Sequence, residues 1–157
     1  MDRSVTERSG EEPRTTHLRT VHHDGFDPNI NSLFVPAIKV DAGKLVFVSG
    51  VTAAPVYHDH PHVPHEFDAI PSDARAQATL AFEHLAQALA ASGCEPQHVV
   101  MMTRYFTDIA ADQDAVNAVQ GAFFRGHLPT STTVEVKRMA TDPRIKLEIQ
   151  AIAVAPA

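Results

Sequence analysis

Residues 130–139 read TSTTVEVKRM, and residues 144–154 read RIKLEIQAIAV. Apolar and polar side chains alternate in both stretches, which is typical of β-strands because successive side chains point to opposite faces of a sheet. Thr132, Val134 and Val136 are predicted to form the apolar face of the first strand, and Leu147 and Ile149 that of the second. The two strands predict a sheet whose apolar face is covered by another layer and whose polar face is left over.

Two helices are predicted upstream of these strands, and they supply the covering layer. Ser72 and Asp73 are suited to begin the first helix, and Gly93 is suited to end it. Between them, apolar residues recur at helical spacing: Ala78, Phe82, Leu85 and Leu89. A second helix is predicted over residues 108–125, and a strand over residues 99–107 separates the two helices.

The first third of the chain predicts a tail, a short strand and a hairpin. Residues 1–13 are polar and aperiodic, so we interpret them as a flexible tail ahead of one domain over residues 14–157. The pattern permits a short strand over residues 15–23. Residues 37–40 and 45–50 flank a Gly-containing turn and are predicted to pair as a hairpin. The order β-β-β-α-β-α-β-β predicts an α+β fold with two helices on one face of the sheet.

Composition limits the classes of partner. The chain has 157 residues and a formal net charge of −6, and its 13 Lys and Arg residues are scattered, which disfavours nucleic-acid binding. No apolar run is long enough to predict a membrane span. The single cysteine, Cys94, excludes an internal disulfide, and the N-terminus lacks a signal-peptide pattern. We therefore expect a soluble cytoplasmic protein.

Several short segments match one family by their order and spacing. They are Ile38-Lys39-Val40 with residues 45–50, the helix around Gln77, Ala91-Ser92-Gly93-Cys94, Asp108-Ile109 with Val116-Asn117, residues 128–136 (LPTSTTVEV) and residues 146–153 (KLEIQAIA). Over about residues 32–154 the chain resembles the Rid/YjgF family of reactive-intermediate deaminases. In this resemblance the last two segments correspond to the family's closing hairpin.

The resemblance implies a chorismate-mutase-like mixed sheet and a homotrimer with pockets between subunits. It implies a small-molecule substrate, because active members hydrolyse imines or enamines derived from amino acids to a keto product and ammonia. No cofactor and no metal are implied. Glu148 corresponds to the family glutamate that positions the attacking water, and Ser49 and Asn117 match further pocket positions.

Two positions depart from the family pattern. The family arginine that binds the substrate carboxylate corresponds to Ser131 here, and a hydroxyl cannot replace a bidentate, charged guanidinium. Phe34 stands where the family has a pocket tyrosine. These departures predict poor activity on simple 2-imino acids.

Other polar residues are candidates for the pocket. Ser131 and Thr133 are predicted on the same sheet face as Glu148, as hydrogen-bond donors to a ligand or as ordinary strand residues. Arg104 interrupts an apolar strand, so it needs a partner. It is predicted to replace the missing cation, or to form a structural ion pair with Glu135 or Glu148.

Residues 51–71 are predicted to form an enlarged loop rich in proline and histidine. His58, His60, His62 and His65 lie in it, and residues 58, 60 and 62 of an extended segment point the same way. Imidazoles suit Zn²⁺ or Ni²⁺, but the proline-rich sequence predicts no fixed geometry. Three interpretations stay open: a lid over the pocket, which we favour, a metal site, or a disordered segment.

Two functions follow from these observations. The first is a cofactor-free deaminase or hydrolase acting on an enamine, imine or related reactive C–N intermediate, with water directed by Glu148. The alternative is a non-catalytic trimer that binds a small metabolite or has a regulatory role. Ribonuclease activity, which is associated with relatives, is disfavoured by the acidic net charge of −6.

Overall fold

The computed structural model describes residues 17–157, so the tail predicted over residues 1–13 lies outside the described residues. The predicted element order is confirmed. The strands are β1 (Leu18–Val21), β2 (Ala37–Val40), β3 (Lys44–Val51), β4 (Val99–Phe106), β5 (Thr130–Glu135) and β6 (Leu147–Ala155). The helices are α1 (Ala74–Ala91) and α2 (Ile109–Phe124), and two short 3-10 helices cover Pro64–Phe67 and Pro96–His98.

The strands form two sheets. β1 and β2 pair antiparallel in a small sheet of their own, and the main sheet has the order β3-β6-β4-β5. β4 and β5 run parallel, while the other two pairs are antiparallel. The predicted α+β class with a mixed, chorismate-mutase-like sheet is therefore confirmed.

Both predicted hairpins are wrong. β2 pairs with β1 rather than β3, and β3 pairs with β6. In the closing pair, β4 lies between β5 and β6. β5 follows α2, and a parallel partner for β4 needs such a helical crossover. β6 has apolar neighbours on both sides, so its central position buries more surface than a terminal hairpin would.

The two helices cover one face of the main sheet, as predicted. Asp73 and Asp108 cap them, because each carboxylate accepts a hydrogen bond from a backbone N–H three residues later, at 2.8 Å and 3.0 Å. Fully buried side chains of both layers form the core: Ala78, Leu85, Leu89, Met102, Phe106, Val116, Ile149 and Ala153. Burial of each large member contributes about 1.5–3 kcal/mol. No helix of the described residues is long and apolar enough to cross a membrane.

The face predicted for β5 is wrong by one residue. Thr133 lies opposite Arg104 in the parallel register and accepts its hydrogen bonds on the helix side of the sheet. Val134, predicted to face the core, is therefore on the open side and is 37% exposed. β5 is an edge strand with a mainly polar sequence, so burial specifies its faces only weakly.

The open face of the main sheet is less polar than predicted. Glu148 and Gln150 lie on it, but Leu45 and Phe47 also lie there and are 60% and 72% exposed. Met101 and Val134 extend this apolar surface across β4 and β5. Contiguous exposed apolar side chains of this kind mark interaction surfaces.

Candidate active site

A shallow cleft of about 280 Å³ lies beside Glu148 on the open side of the sheet. Tyr105 of β4 lies opposite Glu148 of β6 in the antiparallel register. The other lining residues come from β3, β6 and the segment after β5: Gly50, Gln150, Val136, Arg138, Met139 and Ala140. Three strands and one connecting segment therefore converge on the predicted catalytic carboxylate.

The Glu148 carboxylate is half-buried. Burial raises its pKa above the usual glutamate range, because removal from water disfavours the charged form. No group among residues 17–157 forms a hydrogen bond or ion pair with it. Glu148 is therefore suited to accept a proton from a ligand and to return it at a pH nearer neutrality than an ordinary glutamate.

Gly50 sets the position of this carboxylate, and sequence reasoning missed it. A Cβ atom at position 50 would overlap Glu148 Oε1 and lie 2.8 Å from its Cδ. The β3–β6 register shifts between Val48 and Val51, so Ser49 and Gly50 form an irregular step beside Glu148. A glycine inside a strand is the signal that predicts such a bulge or a close approach. Ser49 is exposed at this step, next to the cleft.

Arg104 lies in a different cluster, on the helix side of the sheet. Its Nε and Nη2 donate to Thr133 Oγ1 at 3.0 and 2.9 Å, and its Nη1 donates to Asn117 Oδ1 at 2.7 Å and to Gln120 Oε1 at 2.9 Å. Arg104 is 5% exposed, and burial lowers its pKa. The predicted ion pair with Glu135 or Glu148 is not present in the described part of the chain. Neutral oxygens hold this cation instead.

Gln120 is a second residue that sequence reasoning missed. It lies three residues after Asn117, so both amides project from the same side of α2 toward Arg104. Its Nε2 also donates to Leu33 O at 3.4 Å, which connects the cluster to the segment before β2. A pair of amides at helical spacing, facing a charged residue in an apolar strand, is the available signal.

Phe34 and Ser131 lie at the margin of this second cluster. Phe34 is 54% exposed and lines an open groove of about 740 Å³ with His127 and Leu128. Val35 N donates to Pro129 O at 3.2 Å, so the Phe34 segment runs beside the start of β5. Ser131 lies opposite Met102, a core residue, in the β4–β5 register. Its side chain therefore belongs to the helix side, at the sheet edge.

The fold separates the predicted site residues into two groups. Glu148 and Ser49 lie on the open side, whereas the helix side holds Arg104, Asn117, Thr133 and Ser131. The predicted common face for Ser131, Thr133 and Glu148 is wrong, because β4 separates β5 from β6 and β5 has the opposite facing. Within one chain, no side chain of the second group lines the Glu148 cleft.

The histidine loop has defined contacts, and three of its four histidines form a cluster. Potential ligand atoms of His58, His60 and His62 all lie within 4.8 Å of one another. His65 is not part of this cluster. The loop closes over Phe67, which is 1% exposed and packs with Met139, a residue that lines the cleft. The lid interpretation stays a prediction, but the loop adjoins the wall of the Glu148 cleft.

The comparison with known proteins gives matches that cover most of the chain. The family model described as Endoribonuclease L-PSP matches residues 27–155. The protein DfrA of Myxococcus xanthus is 37% identical over 137 residues, which are 87% of this chain and 95% of that protein. The 2-iminobutanoate/2-iminopropanoate deaminase of Escherichia coli K12 is 31% identical over 118 residues, 73% of this chain and 83% of the enzyme.

The fold has close counterparts among solved structures. A protein of unknown function from Yersinia pestis, YyfB of the Rid family, superimposes with a TM-score of 0.71 at 22% identity. The match covers 88% of this chain and 98% of that structure. At this identity the similarity establishes the shared architecture.

Proposed function

The chain belongs to the Endoribonuclease L-PSP family, which is the Rid/YjgF family, and on that premise we propose that it is a cytoplasmic hydrolase acting on an imine, enamine or related reactive C–N intermediate. Deaminase-type function is supported by the names of its relatives. One observation carries the proposal for this chain. Glu148 is a half-buried carboxylate without a protein partner in the described residues, with a raised pKa, at the side of a cleft.

The proposed hydrolysis needs one group that first accepts a proton from water and then donates it to the leaving nitrogen. Water adds to the carbon of the C=N bond while the Glu148 carboxylate accepts a proton from that water. The protonated carboxyl then donates that proton to the nitrogen of the tetrahedral intermediate. As the C–N bond breaks, the hydroxyl group gives up its proton, which reaches the same nitrogen through solvent, so ammonia and a carbonyl product leave. A raised pKa suits both steps, because general acid–base catalysis is most efficient when the pKa lies near the working pH.

The cations near the cleft limit the substrate class. Ser131 supplies no guanidinium, and the donors of Arg104 are occupied by Thr133, Asn117 and Gln120 on the other side of the sheet. Arg138 is the one cation that lines the cleft in the described part of the chain, and its Nε donates to Met139 O at 3.1 Å. We therefore propose a substrate larger than a simple 2-imino acid, with its anionic or polar group directed toward Arg138.

We also propose that the working form is a homotrimer with the pocket completed between subunits. The exposed apolar residues Leu45, Phe47 and Met101 on the open face support it, since water contact with such a surface is unfavourable. A neighbouring chain on this face would bring its own Phe34 and Ser131 region toward Glu148. Phe47→Asp is expected to dissociate the assembly, as measured by light scattering coupled to size-exclusion chromatography.

The test of the activity is hydrolysis of freshly generated imines, measured against the spontaneous rate. Small 2-imino acids and bulkier aromatic imines are compared with the wild-type protein and with Glu148→Gln. We expect acceleration of the bulkier substrates and a loss of about 10²–10⁴-fold in Glu148→Gln, the usual contribution of a general acid–base group. Full turnover by Glu148→Gln would overturn the assignment of Glu148.

The alternative is a trimer that binds a small metabolite without converting it. Ser131 in place of a charged anchor favours it, because such a site has lost part of its transition-state stabilisation while the fold keeps the cleft. A ligand that raises the melting temperature and is recovered unchanged, with no acceleration of any imine, would support this function over catalysis.

A further inference from the structure

The loop over residues 51–71 gathers three imidazole rings that the proposed deamination does not use. The ring centroids of His58, His60 and His62 are 4.6–5.1 Å apart in pairs. Their potential ligand atoms lie within 4.8 Å of one another. We propose that these three histidines form a binding site for one divalent transition-metal ion of the Zn²⁺ class.

The hydrogen bond of His58 to the backbone favours the tautomer that can bind a metal. Its Nδ1 lies 2.8 Å from Pro55 O, and a carbonyl oxygen only accepts hydrogen bonds. In this contact Nδ1 carries the proton, which leaves the lone pair of Nε2 free for a metal. Histidines that bind metals commonly donate their other ring N–H to a backbone carbonyl, which fixes the tautomer and the ring orientation.

The other two rings already meet through nitrogen atoms. His60 Nε2 and His62 Nε2 lie 3.0 Å apart. Two nitrogens bound to one tetrahedral Zn²⁺ at 2.0–2.1 Å are separated by roughly 3.3 Å. Without a metal, one of these nitrogens donates a hydrogen bond to the other. On binding, that ring shifts its proton to Nδ1 or releases it to solvent, and both Nε2 lone pairs turn to the ion.

The backbone around the rings is held by contacts that do not involve them. Asp59 N donates to Glu66 Oε2 at 3.2 Å, which closes the loop across the histidines. Arg144 Nη1 donates to Asp68 Oδ1 at 3.0 Å and Arg144 Nη2 to Pro64 O at 3.2 Å. The loop therefore has the fixed geometry that its proline-rich sequence did not predict, and binding requires mainly rotation of two exposed side chains.

The ligand set indicates the class of ion. Three imidazoles suit Zn²⁺, Ni²⁺ or Cu²⁺, whereas Ca²⁺ and Mg²⁺ prefer oxygen ligands. Three protein ligands leave the fourth tetrahedral position for water. The rings of His58 and His62 contact the edge of buried Phe67 with centroids 5.2 Å and 5.7 Å apart, so the ion would fasten the loop against the hydrophobic cluster that adjoins the Glu148 cleft.

The test uses untagged full-length protein, stripped with a chelator and titrated with Zn²⁺ in competition with a coloured zinc chelator. We expect one Zn²⁺ per chain with an affinity in the micromolar range or tighter. His60→Ala and His62→Ala are expected to weaken binding by at least about 100-fold, since even residues that only support metal ligands contribute 10–100-fold. Absorption of the Co²⁺ form in the visible range gives an independent readout of tetrahedral nitrogen ligation.

His65→Ala is the matched control, because His65 lies in the same loop but outside the cluster. Its affinity is expected to stay within about twofold of wild type. Circular dichroism of each variant excludes unfolding, and His60 and His62 are exposed, so their removal leaves the core intact. Absence of a stoichiometric site, unchanged binding in His60→Ala and His62→Ala, or an equal loss in His65→Ala would overturn the proposal.

Discussion

Each side of the main sheet holds a partly or fully buried charged side chain, and the two differ in their hydrogen-bond partners. On the helix side, Arg104 is almost fully buried and donates four hydrogen bonds to neutral oxygens of three residues. On the open side, Glu148 is half-buried and has no partner within residues 17–157, and burial raises its pKa. The fold supplies hydrogen-bond partners for the first charge and, within the described residues, none for the second.

This difference indicates a structural role for Arg104 and supports the proposed catalytic role of Glu148. A buried cation whose hydrogen-bond partners are all present holds β4, β5 and α2 together. Its contribution to the stability of the fold depends on those partners. A carboxylate held in a cleft without partners is destabilised as an anion, and the fold tolerates that cost. Perturbed groups of the second kind cluster at functional sites. The following substitutions test whether the two charged residues differ in this way.

Gly50→Ala is expected to have the largest effect, on the open side. The new Cβ would displace the Glu148 carboxylate, and misplacement of a catalytic group by about 1 Å costs on the order of 10²-fold in rate. The measurement is kcat/KM for imine hydrolysis. Gly121→Ala is the control, because a Cβ at that position meets no atom within 4 Å.

A double variant shows whether Gly50 acts through Glu148. If it does, adding Gly50→Ala to Glu148→Gln causes little further loss, because the two substitutions remove the same interaction. Independent, multiplying losses would contradict a positioning role for Gly50.

Arg104→Met is expected to destabilise the fold by about 3 kcal/mol. It leaves the amide oxygens of Asn117 and Gln120 without their donor, and each unsatisfied buried group costs about 1–3 kcal/mol. Urea denaturation measures the change. Arg75→Met, at an exposed position of α1, is expected to stay within about 0.5 kcal/mol of wild type. Normal stability with a lost activity would instead make Arg104 a ligand contact.

Ser131→Arg is expected to improve kcat/KM for small 2-imino acids by about 10–100-fold. A hydrogen bond to a charged group contributes about 1.5–3 kcal/mol. In the proposed trimer, a guanidinium at this edge of β5 would reach the Glu148 cleft of a neighbouring chain and supply the bidentate carboxylate contact that the family resemblance implies. Ser131→Lys supplies charge without the planar pair of donors, so a smaller gain is expected. Equal, unimproved rates in both variants would mean that carboxylate binding does not limit these substrates.

The smallest expected effect is on stability, from Glu148→Gln. Because the pKa of Glu148 is raised in the folded state, the folded protein binds more protons than the unfolded chain, and stability falls as pH rises above about 4, the ordinary glutamate pKa. Glutamine lacks this penalty. The variant should be more stable at pH 7 by up to about 1 kcal/mol, since solvent screens a half-exposed group, and the gain should vanish near pH 4.

Glu83→Gln, on the exposed side of α1, serves as control for this pH profile in urea denaturation. A gain for Glu148→Gln that persists at low pH would show that its cause is packing and not the ionisation of the carboxyl. A loss of stability at pH 7 would show that the carboxylate has a stabilising partner.

Local patterns predicted the elements well and their pairing poorly. The first helix begins and ends where Asp73 and Gly93 indicate, and the second lies within the predicted residues 108–125, because caps act within a few residues. Strand pairing joins residues that are far apart in the chain, so nearness in sequence misled both hairpin predictions. The facing of β5 failed for a related reason, since its polar sequence gave a weak signal and the contact with Arg104 decided it.

For the candidate site, too, the sequence determined some features and the tertiary structure determined others. The element order and the family resemblance follow from the residues alone, because they depend on side-chain type and spacing. That resemblance in turn implied Glu148 as the candidate catalytic residue and Ser131 in place of the family arginine. The tertiary structure decided which side chains share a surface. It placed Gly50 against Glu148, held Arg104 with neutral oxygens on the other side of the sheet, and brought three loop histidines together. These outcomes depend on pairing register and on burial, which the whole chain determines and no single segment does.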